Sequence, residues 1–427
     1  MRVLIQHSTN MSEFIPTAYR GRLLATLRVQ YPDAIAKNGF QLLDPISGAP
    51  YTNHRRHLVA TSRSVANFAV GALADGPNWC LDAVEHGLSF LKEGHMAEDG
   101  GYDLLVDEEG EPLDRTRSAY GHAFVLLAYA RATEAGIDGA RSDLEATHRL
   151  IEERFRDDLG MLRSDCAPDW TEKEPYRGQN ANMHACEAYL AAYEATADET
   201  YLDRARHIAR TITVDLAAET DGLLWEHYTR EWNHDFEYNQ DKPRHQFRPP
   251  GYQPGHHVEW AKFLALLDRY DEATDAAGRG ELTSERGWYA RGIELFNAAV
   301  DNGWADTGFV YTHEDDRTPI LPDNYGWALA EAIGASAALI ERATEHGDLD
   351  TADQIREAHD QFIDCLGHYR GPAGLWYEKL VEDEPVTPSS PGVEPDYHPI
   401  SAFYESWRSM RDVPLADRPS ETPTTND

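Results

Sequence analysis

The chain alternates regularly between a helix, a short link, a second helix and a long excursion. Apolar residues at i, i+3, i+4 and i+7 mark about twelve amphipathic segments. They fall at 16–30, 54–73, 78–93, 117–135, 140–155, 180–196, 199–216, 254–271, 283–300, 324–343, 350–367 and 397–411. Start signals support several of them. Asp198 is a capping residue before the seventh, and Pro254 sits in the first turn of the eighth, where its missing N–H costs nothing. Thr283, Glu285 and Arg286 give the ninth a polar start. Gly-rich stretches at 100–113, 222–240 and 303–322 read as hairpins, and they precede the fourth, eighth and tenth helices. Six helix pairs of this kind close into a ring, even-numbered helices inside and odd-numbered outside. The predicted fold is all-α, an (α/α)6 barrel with β-hairpin loops at one end. No Pro/Gly/Ser linker divides the chain, so one domain is expected over 1–412. Residues 413–427 lack apolar content and read as a disordered acidic tail.

Composition narrows the function classes. A formal charge of −35 repels a phosphate backbone, which excludes nucleic acid as an expected partner. No apolar run reaches the ~18 residues of a membrane span, and MRVLIQHSTN has no signal-peptide core. A cytoplasmic protein is expected. Cys80, Cys166, Cys186 and Cys365 are far apart with no CxxC, which argues against a zinc ribbon, a dithiol or a disulfide framework. Only six of the 39 basic residues are Lys. An acidic, Lys-poor surface suits a salt-loaded cytoplasm, because carboxylates hold water and salt screens their repulsion. A halophilic, intracellular origin is the expectation. Phosphate-loop, dinucleotide and HExxH motifs do not occur.

What remains is a set of polar residues at the starts of the even-numbered helices. Arg63 lies on the second; Tyr120 and His122 open the fourth; Asn180, Asn182 and His184 open the sixth. His256 and Glu259 open the eighth, Asn324 and Trp327 the tenth, and His398 the last. Tyr120, His184, His256, Trp327 and His398 follow one another at steps of 64, 72, 71 and 71 residues. Near-equal steps around a ring of helix pairs bring these side chains to one end and into one cavity. A lone His at a helix start is usually a cap; three on three inner helices point to a shared site. Glu259, one turn after His256, is expected to orient it and raise its basicity, or else to form only a surface pair. The His–Glu spacing also allows metal ligation, but the helix starts supply mostly His, Asn, Arg and Trp, so metal-free acid/base chemistry is preferred. No cofactor is expected. His54, His57, His245 and His257 read as solvated or structural.

The segments RGQNANMHACEAYLAA, PGHHVEWAKFLALL and PDYHPISAFY resemble the N-acylglucosamine 2-epimerase superfamily, more its mannose/sulfoquinovose isomerase branch than its cellobiose branch. The resemblance runs from Arg63 to His398 and implies an (α/α)6 barrel. It places the acid/base pair on His256 and His398, with His184, Glu259 and Arg63 as further catalytic residues. Tyr120, Asn180, Arg248 (in FRPPGYQPGH) and Trp327 are implied as substrate contacts; Asn324 and Trp376 complete the candidate binding set. The chain departs from many members at Glu394, where they carry Lys, at the PSSPGV stretch, and at Val59, where a bulky aromatic is usual.

An unperturbed imidazole titrates near pH 6.5, so both its protonation states are available near neutrality. One His removes the C2 proton of an open-chain aldose to give a cis-enediol(ate). Returning a proton to C1 gives a ketose; returning it to C2 from the opposite face gives the epimer. Arg63 is placed to stabilise the developing oxyanion. The expected activity is aldose–ketose isomerisation of mannose or a C6-modified hexose, with 2-epimerisation the alternative. Glycoside hydrolysis would need two carboxylates rather than histidines, and a binding module would need no paired His. The expected partner is a monosaccharide, the chain acting as a monomer or homo-oligomer.

Overall fold

Ala-rich segments such as AYGHAFVLLAYARA are apolar on every face. Such helices are stable only when surrounded by protein, and their small side chains let neighbours approach closely. In a computed structural model describing residues 15–52, 54–245, 247–273, 287–386 and 392–411, these segments are the inner helices. They are α2 (Leu58–Leu73), α4 (Ala119–Glu134), α6 (Gln179–Thr196), α8 (Pro254–Ala273), α10 (Gly326–Glu345) and α13 (Tyr397–Met410). Each packs on the next, and α13 packs on α2 to close the ring. The outer helices α1 (Ile15–Gln30), α3 (Trp79–Phe90), α5 (Ala140–Arg154), α7 (Glu199–Arg210), α9 (Gly287–Gly303) and α11 (Leu349–Asp364) each lie against an inner one. Their apolar stripes are narrow: α11 buries Ala352, Ile355, His359 and Phe362 at helical spacing. A one-turn helix, α12 (Leu366–Tyr369), follows α11. The fold is the expected (α/α)6 barrel.

The expected start signals behave as predicted where they are described. Asp198 accepts the Thr200 N–H as the cap of α7, and Pro254 is the first residue of α8. The polar start at Thr283, Glu285 and Arg286, and the tail 413–427, lie outside the described residues. The second segment begins later than expected: Arg55–His57 form strand β1, and the His57 side chain caps α2 by accepting the Val59 N–H. The four cysteines are buried and unpaired.

The excursions carry short antiparallel sheets at one end of the barrel. β1 (Arg55–His57) pairs with the hairpin β2 (Leu105–Asp107) and β3 (Pro112–Asp114). β4 (Arg117–Ser118) pairs with β5 (Asp165–Cys166), and β6 (Tyr176–Gly178) with β7 (His227–Thr229). The expected hairpin at 222–240 is present, with Tyr228 and His234 bridging antiparallel about its turn, but it does not stand alone. Its strand pairs with a strand from the preceding excursion. The largest sheet runs β12-β11-β10-β9-β8, from β8 (Trp304–Ala305), β9 (Gly308–His313), β10 (Pro319–Tyr325), β11 (Lys379–Val381) and β12 (Glu384–Val386).

These loops are pinned by the fourth residue of three inner helices. His122 on α4 accepts the Tyr102 N–H, Asn182 on α6 the Leu162 N–H, and His257 on α8 the Leu224 N–H. The other ring nitrogen of His122 bonds the Ser118 carbonyl and that of His257 the Gln253 carbonyl, which fixes each tautomer. The two histidines are thereby committed to scaffolding, and the loop end of the barrel becomes a fixed rim.

Candidate active site

The sixth residue of five inner helices forms a layer across the barrel: Arg63, Phe124, His184, Glu259 and Glu331. They meet in ring order. The Arg63 guanidinium lies 4.3 Å from the centre of the Phe124 ring, Phe124 4.6 Å from the His184 ring, and His184 Nδ1 3.8 Å from Glu259. Above this layer opens a cavity of about 130 Å³ whose walls include Tyr51, Phe247, Trp327, Trp376, Glu378 and Glu394.

Two histidines line this cavity with matching support. His398 Nδ1 lies 2.7 Å from Glu331 Oε1, and His256 Nδ1 lies 2.8 Å from Glu226 Oε1. A carboxylate accepts only, so each Nδ1 carries the hydrogen and each Nε2 presents a lone pair. Nε2 of His398 lies 3.3 Å from the Arg63 guanidinium, consistent with an acceptor there. Gln179 steadies the second pair: its Oε1 accepts from the Trp260 indole, so its amide N–H₂ donates to Glu226 Oε2 at 2.9 Å. The Trp327 indole packs against both imidazoles, with ring centres 5.1 Å from His256 and 5.7 Å from His398.

The third histidine differs. His184 Nδ1 bonds Glu187 Oε2 at 2.9 Å, and Glu187 also accepts from Tyr397. Burial drives the His184 imidazole down to about 4, which keeps it neutral; Glu187, despite its burial, is held down to about 2 by its bond to His184.

Arg63 is buried and gathers the site together. Its guanidinium donates to Tyr120 Oη at 3.0 Å and to Glu394 Oε2 at 2.9 Å. Burial pushes the Tyr120 hydroxyl up to about 12, so it stays protonated. Asn180 Oδ1 and Gln253 Oε1 are buried on the cavity wall with no protein donor. Unsatisfied buried acceptors of this kind fit a ligand rich in hydroxyls. Burial, then the charge of Glu394, raises the Asp396 carboxyl to about 8.

The expected role of Glu259 toward His256 is overturned. His256 Nδ1 is taken by Glu226, which the β6–β7 pairing and the His257–Leu224 bond deliver from the preceding loop. Both Glu259 oxygens are buried without a hydrogen-bond partner. Burial and the neighbouring Glu331 hold its carboxyl well above the usual carboxylate range. His184, Glu187 and Glu259, and likewise Glu259, Glu331 and His398, have ligand atoms within 4.8 Å of one another, spacing that a metal ion could bridge. The Lys262 ammonium, buried one turn below, ion-pairs with Glu331 and already supplies a cation to this acidic layer.

Two expected substrate contacts lie elsewhere. Arg248 is not on the cavity wall. It pairs with Glu174 at 2.5 Å and Asp165 at 3.4 Å, bonds Tyr238, and covers the Tyr176 ring, so it ties the excursions before α6 and α8 together. Its neighbour Phe247 faces the cavity instead. Asn324 is not at a helix start but in β10, where its amide donates to the Phe309 carbonyl within the sheet. Tyr120, Asn180, His184, His256, Glu259, Trp327, Trp376, Arg63 and His398 all line the cavity. Glu226, Gln179, Glu331 and Glu187 escaped the sequence reading, and Glu394 entered it only as a departure from the family pattern. Glu331 was the most accessible of them, since it stands at the same helix position as Glu259.

Comparison with known proteins agrees with this architecture. The profile for the family described as N-acylglucosamine 2-epimerase (GlcNAc 2-epimerase) matches residues 39–402. A D-mannose isomerase of Marinomonas mediterranea is 35% identical over 394 residues, covering 90% of this chain and 95% of its own. A D-mannose isomerase of Thermobifida fusca is 36% identical, covering 86% and 88%. A crystal structure of a D-mannose isomerase superposes with a TM-score of 0.84 at 31% identity, covering 95% of this chain and all of the other.

Proposed function

The chain belongs to the N-acylglucosamine 2-epimerase family, whose members are carbohydrate isomerases and epimerases, and we propose that it interconverts D-mannose, or a close hexose relative, with the corresponding ketose. The observation that carries this reading is the matched pair His256 and His398. Each has Nδ1 held by a buried glutamate, and both pack on one indole at the cavity wall.

In this reading the sugar opens to its aldehyde form and rests on Trp327. One imidazole Nε2 removes the C2 proton, and electrons move into the C1 carbonyl to give a cis-enediolate. General acid/base transfer of this kind contributes typically ~10²–10⁴-fold. Arg63 and the Tyr120 hydroxyl, already bonded to each other, stabilise the developing oxyanion. A proton delivered to C1, with the O2 proton passing to O1, yields the ketose. Neutral His184, its Nδ1–H held by Glu187, offers an acceptor at Nε2, and the protonated Glu259 carboxyl offers a donor; neither adds charge. Asn180 and Gln253 accept from sugar hydroxyls. The acidic, Lys-poor surface supports a salt-rich intracellular setting, tested by whether thermal stability rises between low and molar KCl.

The test is incubation with D-mannose in D₂O followed by sugar analysis. Ketose carrying deuterium at C1 is expected. A C2-inverted aldose without ketose would reassign the enzyme as an epimerase. His256→Ala and His398→Ala should each lower kcat by ~10²-fold or more; near-normal turnover in either would remove the acid/base pair.

A further inference from the structure

The cavity is acidic. Arg63 is the only Lys or Arg among the described residues that line it, against Glu259, Glu378, Glu394 and Asp396. Arg63 is also not available as a free cation. Its guanidinium is ion-paired at 2.9 Å with Glu394, whose side chain stays about a third exposed toward the opening. Other cations around the site are likewise held, Lys262 below it by Glu331. Lys379 and Arg244 both pair with Asp323 at 2.7 Å, and Arg248 is bound by Glu174 and Asp165. A phosphate, sulfonate or carboxylate on the sugar would therefore lose its hydration and gain no unpaired cation in return.

We propose that Glu394, by neutralising Arg63, leaves the cavity with no cation to receive an anionic group, and so confines this enzyme to uncharged hexoses. The inference rests on the isomerase reading and adds the charge class of its substrate and the residue that sets it. Glu394 has a second attachment: its Oε1 accepts the backbone N–H of His398 at 3.2 Å, so the carboxylate is built into the start of α13 rather than waving at the rim. Glutamine preserves the shape and one acceptor while deleting the charge.

The experiment compares kcat/KM for D-mannose with that for mannose 6-phosphate and for 6-deoxy-6-sulfoglucose, in wild type and Glu394→Gln. Wild type should prefer D-mannose over either anionic sugar by at least ~100-fold. Removing one negative charge a few ångströms from the substrate should shrink that preference by ~10-fold or more. Should the variant lose turnover, calorimetric binding of D-mannose and mannose 6-phosphate to both proteins reads the same ratio. The proposal is overturned if wild type handles an anionic sugar within ten-fold of D-mannose, or if the ratio is unchanged in Glu394→Gln. Failure on every uncharged hexose, with or without turnover of an anionic one, instead overturns the isomerase reading.

Discussion

Glu331 accepts the Nδ1 proton of His398 at 2.7 Å with one carboxylate oxygen and ion-pairs Lys262 with the other. The imidazole that faces the cavity is thereby oriented by a carboxylate whose own charge is balanced from below. Glu226 does the same for His256, with the Gln179 amide in place of the lysine. The two halves of the site are chemically alike but differently buttressed, and this is where their roles can be separated by mutation.

Glu226→Gln keeps the volume of the side chain but offers His256 Nδ1 an amide able to donate as well as accept. The imidazole can then adopt the opposite tautomer, with its lone pair pointed away from the cavity. The expected outcome is a fall in kcat of ~10²–10⁴-fold, the range typical of losing a positioned acid/base group, with KM changed much less. Steady-state kinetics on D-mannose check it, with circular dichroism as the control for folding. Activity within a few-fold of wild type would mean that Glu226 does not set the tautomer.

Trp327 packs against both His256 and His398, and its edge fills the space over Gly255. Trp327→Phe keeps an aromatic face and should cost less than ~10-fold in kcat/KM. Trp327→Ala removes the common wall of both bases and should cost ~100-fold or more, because small misplacements of reacting groups carry penalties of that size. Equal effects of the two substitutions would refute the platform role.

Most of the ring and the direct lining of the cavity were legible in the sequence; the second layer was not. Helical periodicity located His184, His256 and His398 because inner helices announce themselves as apolar runs with a polar first turn. Arg248 and Asn324 were misplaced for a physical reason. A lone arginine or asparagine beside a helix start reads alike whether it meets a ligand or ties loops, and only the sheet register decides. Glu226 sits on a loop, and its reach toward His256 depends on strand pairing that local sequence does not encode; Glu394, four residues before His398, stood out only as a departure from the family pattern. Glu331 is different: counting six residues into each inner helix aligns it with Arg63, His184 and Glu259. The repeat itself carried that information.

Five histidines buried in the barrel, His95, His122, His184, His257 and His359, are each pushed down to about 4 by burial. Unfolded, each would titrate near 6.5. Their folded pKa is depressed, so the stability they contribute is complete above about pH 6.5 and is lost as the pH falls toward and through 4. Each contributes up to about 1.4 kcal/mol per pH unit across that window. Glu187, held down to about 2, acts only below it. Thermal melts at constant salt should therefore show Tm falling steeply from pH 6.5 to 4.5 while changing little between 7 and 8. A flat profile would show that these imidazoles are not held neutral.

Glu259 gives the opposite sign. Its two oxygens have no hydrogen-bond partner, and burial together with Glu331 raises its carboxyl well above the ordinary range. Below about pH 4.5 it is protonated in both folded and unfolded chains and costs nothing in linkage. As the pH rises the unfolded chain releases its proton while the folded one retains it, so the penalty grows with pH. Glu259→Gln is neutral at every pH and removes this penalty. The variant should melt higher than wild type, with a larger gain at pH 8 than at pH 5. If Glu259 also lends a proton to the sugar, the same variant loses turnover while gaining stability, the trade-off expected where a strained group serves function. A Tm difference that is absent, or that is larger at pH 5, would mean that Glu259 is ionised in the folded protein, and its part in the site would have to be redrawn as that of an anion.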